Sequence, residues 1–216
     1  MNIDACIRGR RSCRRYLDKR IPLDVLGEVL EAGTYAPSAG NIQNWEFIVV
    51  TDEDKKNILA GLCKNQDWMR EAPVHVVICN DRERVLKVFP DRGELYATQN
   101  CALAAGLIMM KAEDAGLGSS FVGSFDVEKV RNLFNIPEHI IPELIITLGY
   151  PDRMEKEAER ISIHQVTSFE NYGKRVIDQS ILPLTKQVKK LGKASDKVVK
   201  KGLEKLKGLE ETLRKR

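Results

Sequence analysis

A three-layer α/β arrangement around a mostly buried sheet is the fold class this sequence predicts, on three observations. Four apolar runs of strand length lie near 46–51, 74–79, 118–122 and 143–149. Helical patterns fall between each successive pair. The 216 residues, 43% of them hydrophobic, suffice for one good core and are too few to need a second full domain.

Charge divides the chain further. From Asp178 onward twelve Lys or Arg stand against five Asp or Glu, a net of +7, which leaves −3 for the first 177 residues out of the total of +4. A mildly acidic body argues against nucleic acid as its partner and confines any polyanion binding to the tail. No stretch approaches the roughly twenty uninterrupted apolar residues of a membrane span. The charged N-terminus MNIDACIRGRRSCRRY does not read as a signal peptide, so a cytoplasmic location is expected. Five scattered cysteines, Cys6, Cys13, Cys63, Cys79 and Cys101, lack C-x-x-C spacing and suit free thiols in a reducing compartment, with no metal site.

Taken in order, Asn2 is placed to cap a short helix over Ile3–Arg8. RGRRSCRRY, Arg8–Tyr16, then packs five arginines into nine residues around Ser12. That pattern suits a solvated charged turn, and it equally suits an anion site in which guanidinium forks and a hydroxyl surround phosphate oxygens. Pro22 fits a first helical turn, and Leu23, Leu26, Val29 and Leu30 repeat at helical spacing up to Gly33. Pro37, Ser38, Ala39, Gly40 and Asn41 follow, with so little side-chain bulk that backbone amides could lie flat against a planar ligand. Beyond this loop, Trp45, Phe47 and Val49 open the first strand.

Thr51 or Asp52 starts a helix carrying Ile58, Leu59 and Leu62, and the polar stretch Lys64–Glu71 leads to a strand over Val74–Cys79. His75 in that strand has no second ligand or nucleophile spaced to meet it, which predicts a packed or edge-strand role. Leu95–Asp114 is the longest body helix. Cys101, Leu103, Ala104, Leu107, Ile108 and Met110 cover most of its circumference, which predicts a central position, and Ala102, Ala104, Ala105 and Gly106 leave room for another helix to approach. Gly116-Leu117-Gly118 lacks the third glycine of a dinucleotide loop and follows a helix instead of a strand. Asp126 caps a helix over Val127–Phe134, Pro137 turns the chain, and the last strand runs through Leu144–Leu148 to a stop at Tyr150-Pro151. His139, in the turn, is expected to be exposed.

Three segments together resemble the FMN-dependent nitroreductase family: RRSCR at Arg10–Arg14, APSAGNIQNWEFIVV at Ala36–Val50, and the pair GLGSSFVGSFD and IPEHIIPELIITLGYP within Gly116–Pro151. The resemblance covers about residues 1–173, and residues 174–216 would form a basic amphipathic helical extension. It implies an α/β (α+β) three-layer fold with a mixed central sheet flanked by helices, an intertwined homodimer, and one non-covalent FMN per interface site. By position, Arg10, Arg11, Ser12 and Arg14 would hold the ribityl phosphate and the pyrimidine edge. Pro37, Ser38, Ala39 and Asn41 of the other subunit would line the ring, Gly123 and Ser124 would bring backbone amides near flavin N5, and Arg160 would close on the phosphate. Asn65 matches a flavin-contacting asparagine. The resemblance further implies ping-pong transfer from NAD(P)H through flavin N5 to a nitroaromatic, quinone or related small acceptor.

Two departures stand out. Asn44 occupies a position where the family usually has proline, which predicts a looser start to the first strand. The segment Arg82–Glu94 is short, which leaves little room for a long substrate lid. The alternative to a reductase is a flavin-binding scaffold or partner-binding module acting through its tail. There, Leu184, Val188, Leu191, Val198, Leu206, Leu209 and Leu213 fall on a four-three spacing opposite a lysine-rich face. That pattern is open to packing on the body, a coiled-coil partner, or an anionic surface.

Overall fold

The computed structural model describes residues 2–64, 66–153 and 155–175, in two compact units, Met1–Glu157 and Ala158–Arg216. The heptad-like positions of the tail and Asn65 lie outside the described residues. No helix among the described residues is long and apolar enough to cross a membrane.

The first unit starts with α1 (Ile3–Gly9), whose first free amides are capped by Asn2, Oδ1 accepting from Ala5 N at 2.8 Å. α2 (Leu23–Thr34) follows Pro22, which stands just before the helix at its cap. β1 (Trp45–Val50), α3 (Glu53–Leu62, capped by Asp52) and β2 (Val74–Asp81) come next. α4 (Arg82–Leu86) occupies the short connection to α5 (Gly93–Asp114); β3 (Gly118–Val122), α6 (Val127–Leu133, capped by Asp126) and β4 (Ile140–Gly149) complete the unit.

The four strands form one sheet in the order β1-β2-β4-β3, and all three ladders are antiparallel. The parallel component is a single bridge from Ser12 to Ser119 at the β3 edge. Alternation along β2 builds the layers: Val74, Val76 and Ile78 face a core with Val29 of α2 and Ile108 of α5. Val77 and Cys79 face the opposite core with Leu59 of α3 and Val130 of α6. Helices therefore cover both faces, which is the three-layer arrangement expected.

β4 begins at Ile140, earlier than the apolar run alone suggests, with Pro142 inside it. Proline has no amide to give a ladder, and here it sits where the β2–β4 register slips, between Ile78↔Leu144 and Cys79↔Pro142. The slip leaves Glu143 as the extra residue. In α5 the inner face is Ala97, Cys101, Ala104, Ala105, Ile108 and Ala112, but Leu103 is 48% exposed, so the helix is central without being enclosed.

Of the second unit, residues 158–175 are described. They contain α7 (Ile163–Val166), where Ser162 and Gln165 form a reciprocal capping box.

Candidate functional site

The arginine segment leaves α1 at Arg10, whose amide closes the helix on Cys6 O at 3.0 Å. It then runs beside β3: Ser12 bridges Ser119 in parallel, and Cys13 N donates to Ser119 O at 3.0 Å. Tyr16 fixes its far end, the buried hydroxyl lying 2.8 Å from Cys13 O and 2.7 Å from Thr147 Oγ1. Burial pushes the Tyr16 phenol far up, so it stays protonated as a hydrogen-bonding anchor. Nothing in the sequence pattern singled out Tyr16; an aromatic with a polar tip just after a charged run is the signal that could have.

The four predicted residues of this segment do not play one part. Arg11 folds back, Nη1 donating to the carbonyls of Arg8, Gly9 and Arg10 at 2.5, 3.0 and 2.9 Å, with Nη2 3.6 Å from Glu157. Arg11 and Cys13 both line a cavity of about 370 Å³ with Glu113, Leu117 and Gly118. Arg10 and Arg14 form no ion pair among the described residues. Arg14 is exposed and lies over the Trp68 ring at 5.8 Å, beside a second concavity that Arg15, Asp67, Glu71 and Arg153 also line. Ser12 is exposed. β3 ends at Val122, beyond which come Gly123 and Ser124, both exposed.

The G-x-G after α5 has a packing cause. Gly116 turns the chain with φ +74°, and a Cβ on Gly118 would fall 2.7 Å from Cys13 Sγ. Burial raises the pKa of the Cys13 thiol, and pushes those of Cys63, Cys79 and Cys101 up to about 12, which disfavours the thiolate at all four.

The loop of Pro37–Asn41 is at the opposite edge of the sheet. Its residues are exposed or half-buried, and two of its backbone positions, Gly40 at 59° and Asn41 at 57°, have left-handed φ, as does Gln43 just beyond it at 51°. Ser38 holds the turn, its carbonyl accepting from Asn41 N at 3.0 Å and its hydroxyl from Gln43 N at 3.2 Å. A Cβ on Gly40 would lie 3.3 Å from the Phe89 ring.

Asn44 corrects the expectation of a loose start to β1. Its side chain has no exposure, donates to Asn80 Oδ1 at 2.6 Å and Ala97 O at 3.2 Å, and accepts from Asn100 Nδ2 at 2.7 Å. Its carbonyl takes Asp81 N at 2.9 Å. Where proline would stiffen the backbone, this chain ties the same point down with buried amides.

The register places these groups relative to one another. Trp45 pairs with Asn80, Asn80 with Ile141, and Val122 with Ile145, so β1 begins where β3 ends. Loop and arginine segment flank the two edges of the sheet, the loop at the end where β4 begins and the arginine segment's bridges, to Ser119 and Pro151, toward the end where β4 stops. β2, β4 and β3 lie between them, so more than ~14 Å at the usual strand spacing separates the two sides. Arg160 is exposed in the second unit.

The nitroreductase family model matches residues 7–64 and 60–150, which takes in the arginine segment, the loop and all four strands. The chain belongs to the nitroreductase family. Among curated relatives, an NADH dehydrogenase of Thermus thermophilus is 30% identical over 73% of this chain and 90% of its own length. An FMN reductase [NAD(P)H] of Bacillus subtilis is 26% identical over 75% and 71%. Among solved structures, the NADPH:FMN oxidoreductase of Vibrio harveyi complexed with NAD+ superposes with a TM-score of 0.73 at 26% identity, covering 80% of this chain and 78% of that one.

Proposed function

We propose that this nitroreductase-family chain is an FMN-dependent oxidoreductase that takes electrons from NAD(P)H and passes them to small acceptors such as quinones or nitroaromatics. The observation that carries the reading is the pair of half-sites flanking the two edges of the sheet, one basic and one a flat, side-chain-poor loop.

The residues fit the cofactor. Arg10 and Arg14 are guanidinium groups without an ion pair among the described residues, and Ser12 adds a neutral donor between them, a donor set suited to a phosphate and an electron-rich ring edge. The exposed backbone of Gly123 and Ser124 supplies amides where a flavin N5 would be approached. Arg11 is committed to backbone carbonyls, so its part is to shape the turn that presents its neighbours. Arg160 is a further phosphate ligand on the family resemblance alone.

The sheet separates the half-sites, and a homodimer would bring them together, with Pro37, Ser38, Ala39 and Asn41 of one copy covering the flavin held by Arg10–Arg14 of the other. The outer stripe of α5 supports it: Leu95 and Leu103 are 45% and 48% exposed, with Ala102 and Gly106 exposed between and beyond them. A Cβ on Gly106 would meet nothing within 4 Å, which leaves that face open to a second helix.

FMN, when bound, supplies the two-electron chemistry of a ping-pong cycle between nicotinamide and acceptor. The protein's share is binding and orientation. Guanidinium charge at the phosphate fixes the cofactor, the loop presents a flat wall that excludes water from one ring face, and backbone donors near N5 stabilise negative charge there. No nucleophile and base are required.

Purified protein incubated with FMN and desalted should retain flavin absorbance, and should oxidise NADH or NADPH with a quinone or nitroaromatic present. Protein that emerges colourless overturns the reading.

A further inference from the structure

We infer that Asn100 and Asn44, backed by Asn80, are positioning residues that hold the Ala39–Gln43 loop in its left-handed conformation for the cofactor. The inference rests on the FMN reading above for what the loop is held against. Asn100, on α5, accepts from Ala39 N through Oδ1 at 3.0 Å. Its Nδ2 donates to Asn44 Oδ1 at 2.7 Å, Asn44 Nδ2 donates to Asn80 Oδ1 at 2.6 Å, and Asn80 Nδ2 donates to Glu143 Oε1 at 2.6 Å. Thr98 Oγ1 also donates to that carboxylate oxygen at 3.0 Å.

Both ends fix the direction of this chain. A backbone N–H can only donate and an ionised carboxylate can only accept, so each amide between them is forced into one orientation. Asn44, Asn80 and Asn100 are at most 3% exposed. Three primary amides buried beside Ala97 and Cys101 are costly unless every partner is present, and a core without a task would be cheaper in apolar side chains.

The task lies at the loop. Asn41 and Gln43 adopt a backbone region that non-glycine residues avoid, and such conformations persist only where their surroundings over-determine them. Ser38 supplies local bonds, but Ala39 N is the point at which the turn is tied to rigid secondary structure. The tie runs to the longest helix and, through the β-bulge residue Glu143, to the central strand β4.

The test uses full-length protein and the variants Asn100→Ala, Asn44→Ala and the double variant. In apo-protein, amide exchange at 39–43 should be slow in the parent and accelerated in Asn100→Ala. With FMN, Asn100→Ala should weaken binding about tenfold, the effect of losing one buried hydrogen bond. The double variant should lose little more than the worse single one, because both cut one chain. At saturating FMN the midpoint potential of the bound flavin should also move, which a loss of overall stability alone would not produce. Should Asn100→Ala fail to fold, Asn100→Ser carries the same expectations, since its hydroxyl is too short to reach Ala39 N. Unchanged exchange at 39–43 overturns the relay whether or not flavin binds. Parent-like FMN affinity and potential in the variants overturn its role toward the cofactor, as do losses that are additive and track apo-protein melting. A parent protein that fails to retain FMN overturns the cofactor reading instead, leaving the exchange result to decide the relay.

Discussion

His75 stands inside the second core with no exposure, Nε2 2.9 Å from Met69 O. Burial lowers its pKa to about 4, the bond to the Met69 carbonyl opposing that shift and the charge of nearby Lys56 adding to it. The unfolded chain titrates near the ordinary value of about 6.5. As pH falls from about 6.5 to 4, the unfolded state takes up a proton that the folded state refuses. Stability is therefore full above this window and declines through it, by up to ~3 kcal/mol. Replacing His75→Leu should flatten that part of the acid limb, read as urea-unfolding free energies at pH 6.5 and 4. An unchanged slope would show that His75 charges in the fold. At this scale the sequence was legible where a side chain's absence mattered, as at Ala39 and Gly40. It was not legible at Asn44 or Tyr16. Each is tied to a partner far along the chain, Asn80 for Asn44 and Thr147 for Tyr16, and no local pattern identifies that partner.

Among elements, α2 and α5 come together at a glycine. A Cβ on Gly33 would fall 2.8 Å from Cγ1 and Cδ1 of the fully buried Ile108, and 3.0 Å from the Phe47 ring. Gly33→Ala raises helix propensity by up to about 1 kcal/mol, yet overpacking a closed core costs typically 1–3 kcal/mol. Packing should win, with a net loss of about 1 kcal/mol in thermal or denaturant unfolding, and Ile108→Val in the same chain should restore part of it. A gain from Gly33→Ala alone would show that the two helices slide apart freely. The helices themselves were readable from spacing and caps, because Asn2, Asp52 and Asp126 are local signals. The start of β4 was not, since proline within a strand argues against the strand unless a register slip in its partner accommodates it. Likewise the apolar circumference of α5 marks a helix in contact on many sides, but does not say which of those sides this chain covers.

At the scale of the whole molecule, the uncovered side of α5 and the two separated half-sites point to one remedy. α1, which packs on α5, adds Ile3 and Ile7, exposed and one turn apart, to the apolar surface. Exposed Leu is ordinary when scattered, but Leu95, Leu103 and the small residues Ala102 and Gly106 lie along one helix face, the arrangement that lets two backbones approach. A charge placed in the middle of such a contact must be desolvated without a partner, which is strongly unfavourable. Leu103→Glu, on a position already half in water, should leave the monomer fold intact by circular dichroism. On the proposed dimer it should shift the protein from dimer to monomer in sedimentation and weaken FMN retention by about tenfold or more, because each monomer would keep its arginine segment while losing the loop that the proposed second copy supplies. A monomeric Leu103→Glu protein that binds FMN as tightly as the parent would place the whole site within one chain, and would require the Pro37–Asn41 loop to have some purpose other than covering the flavin.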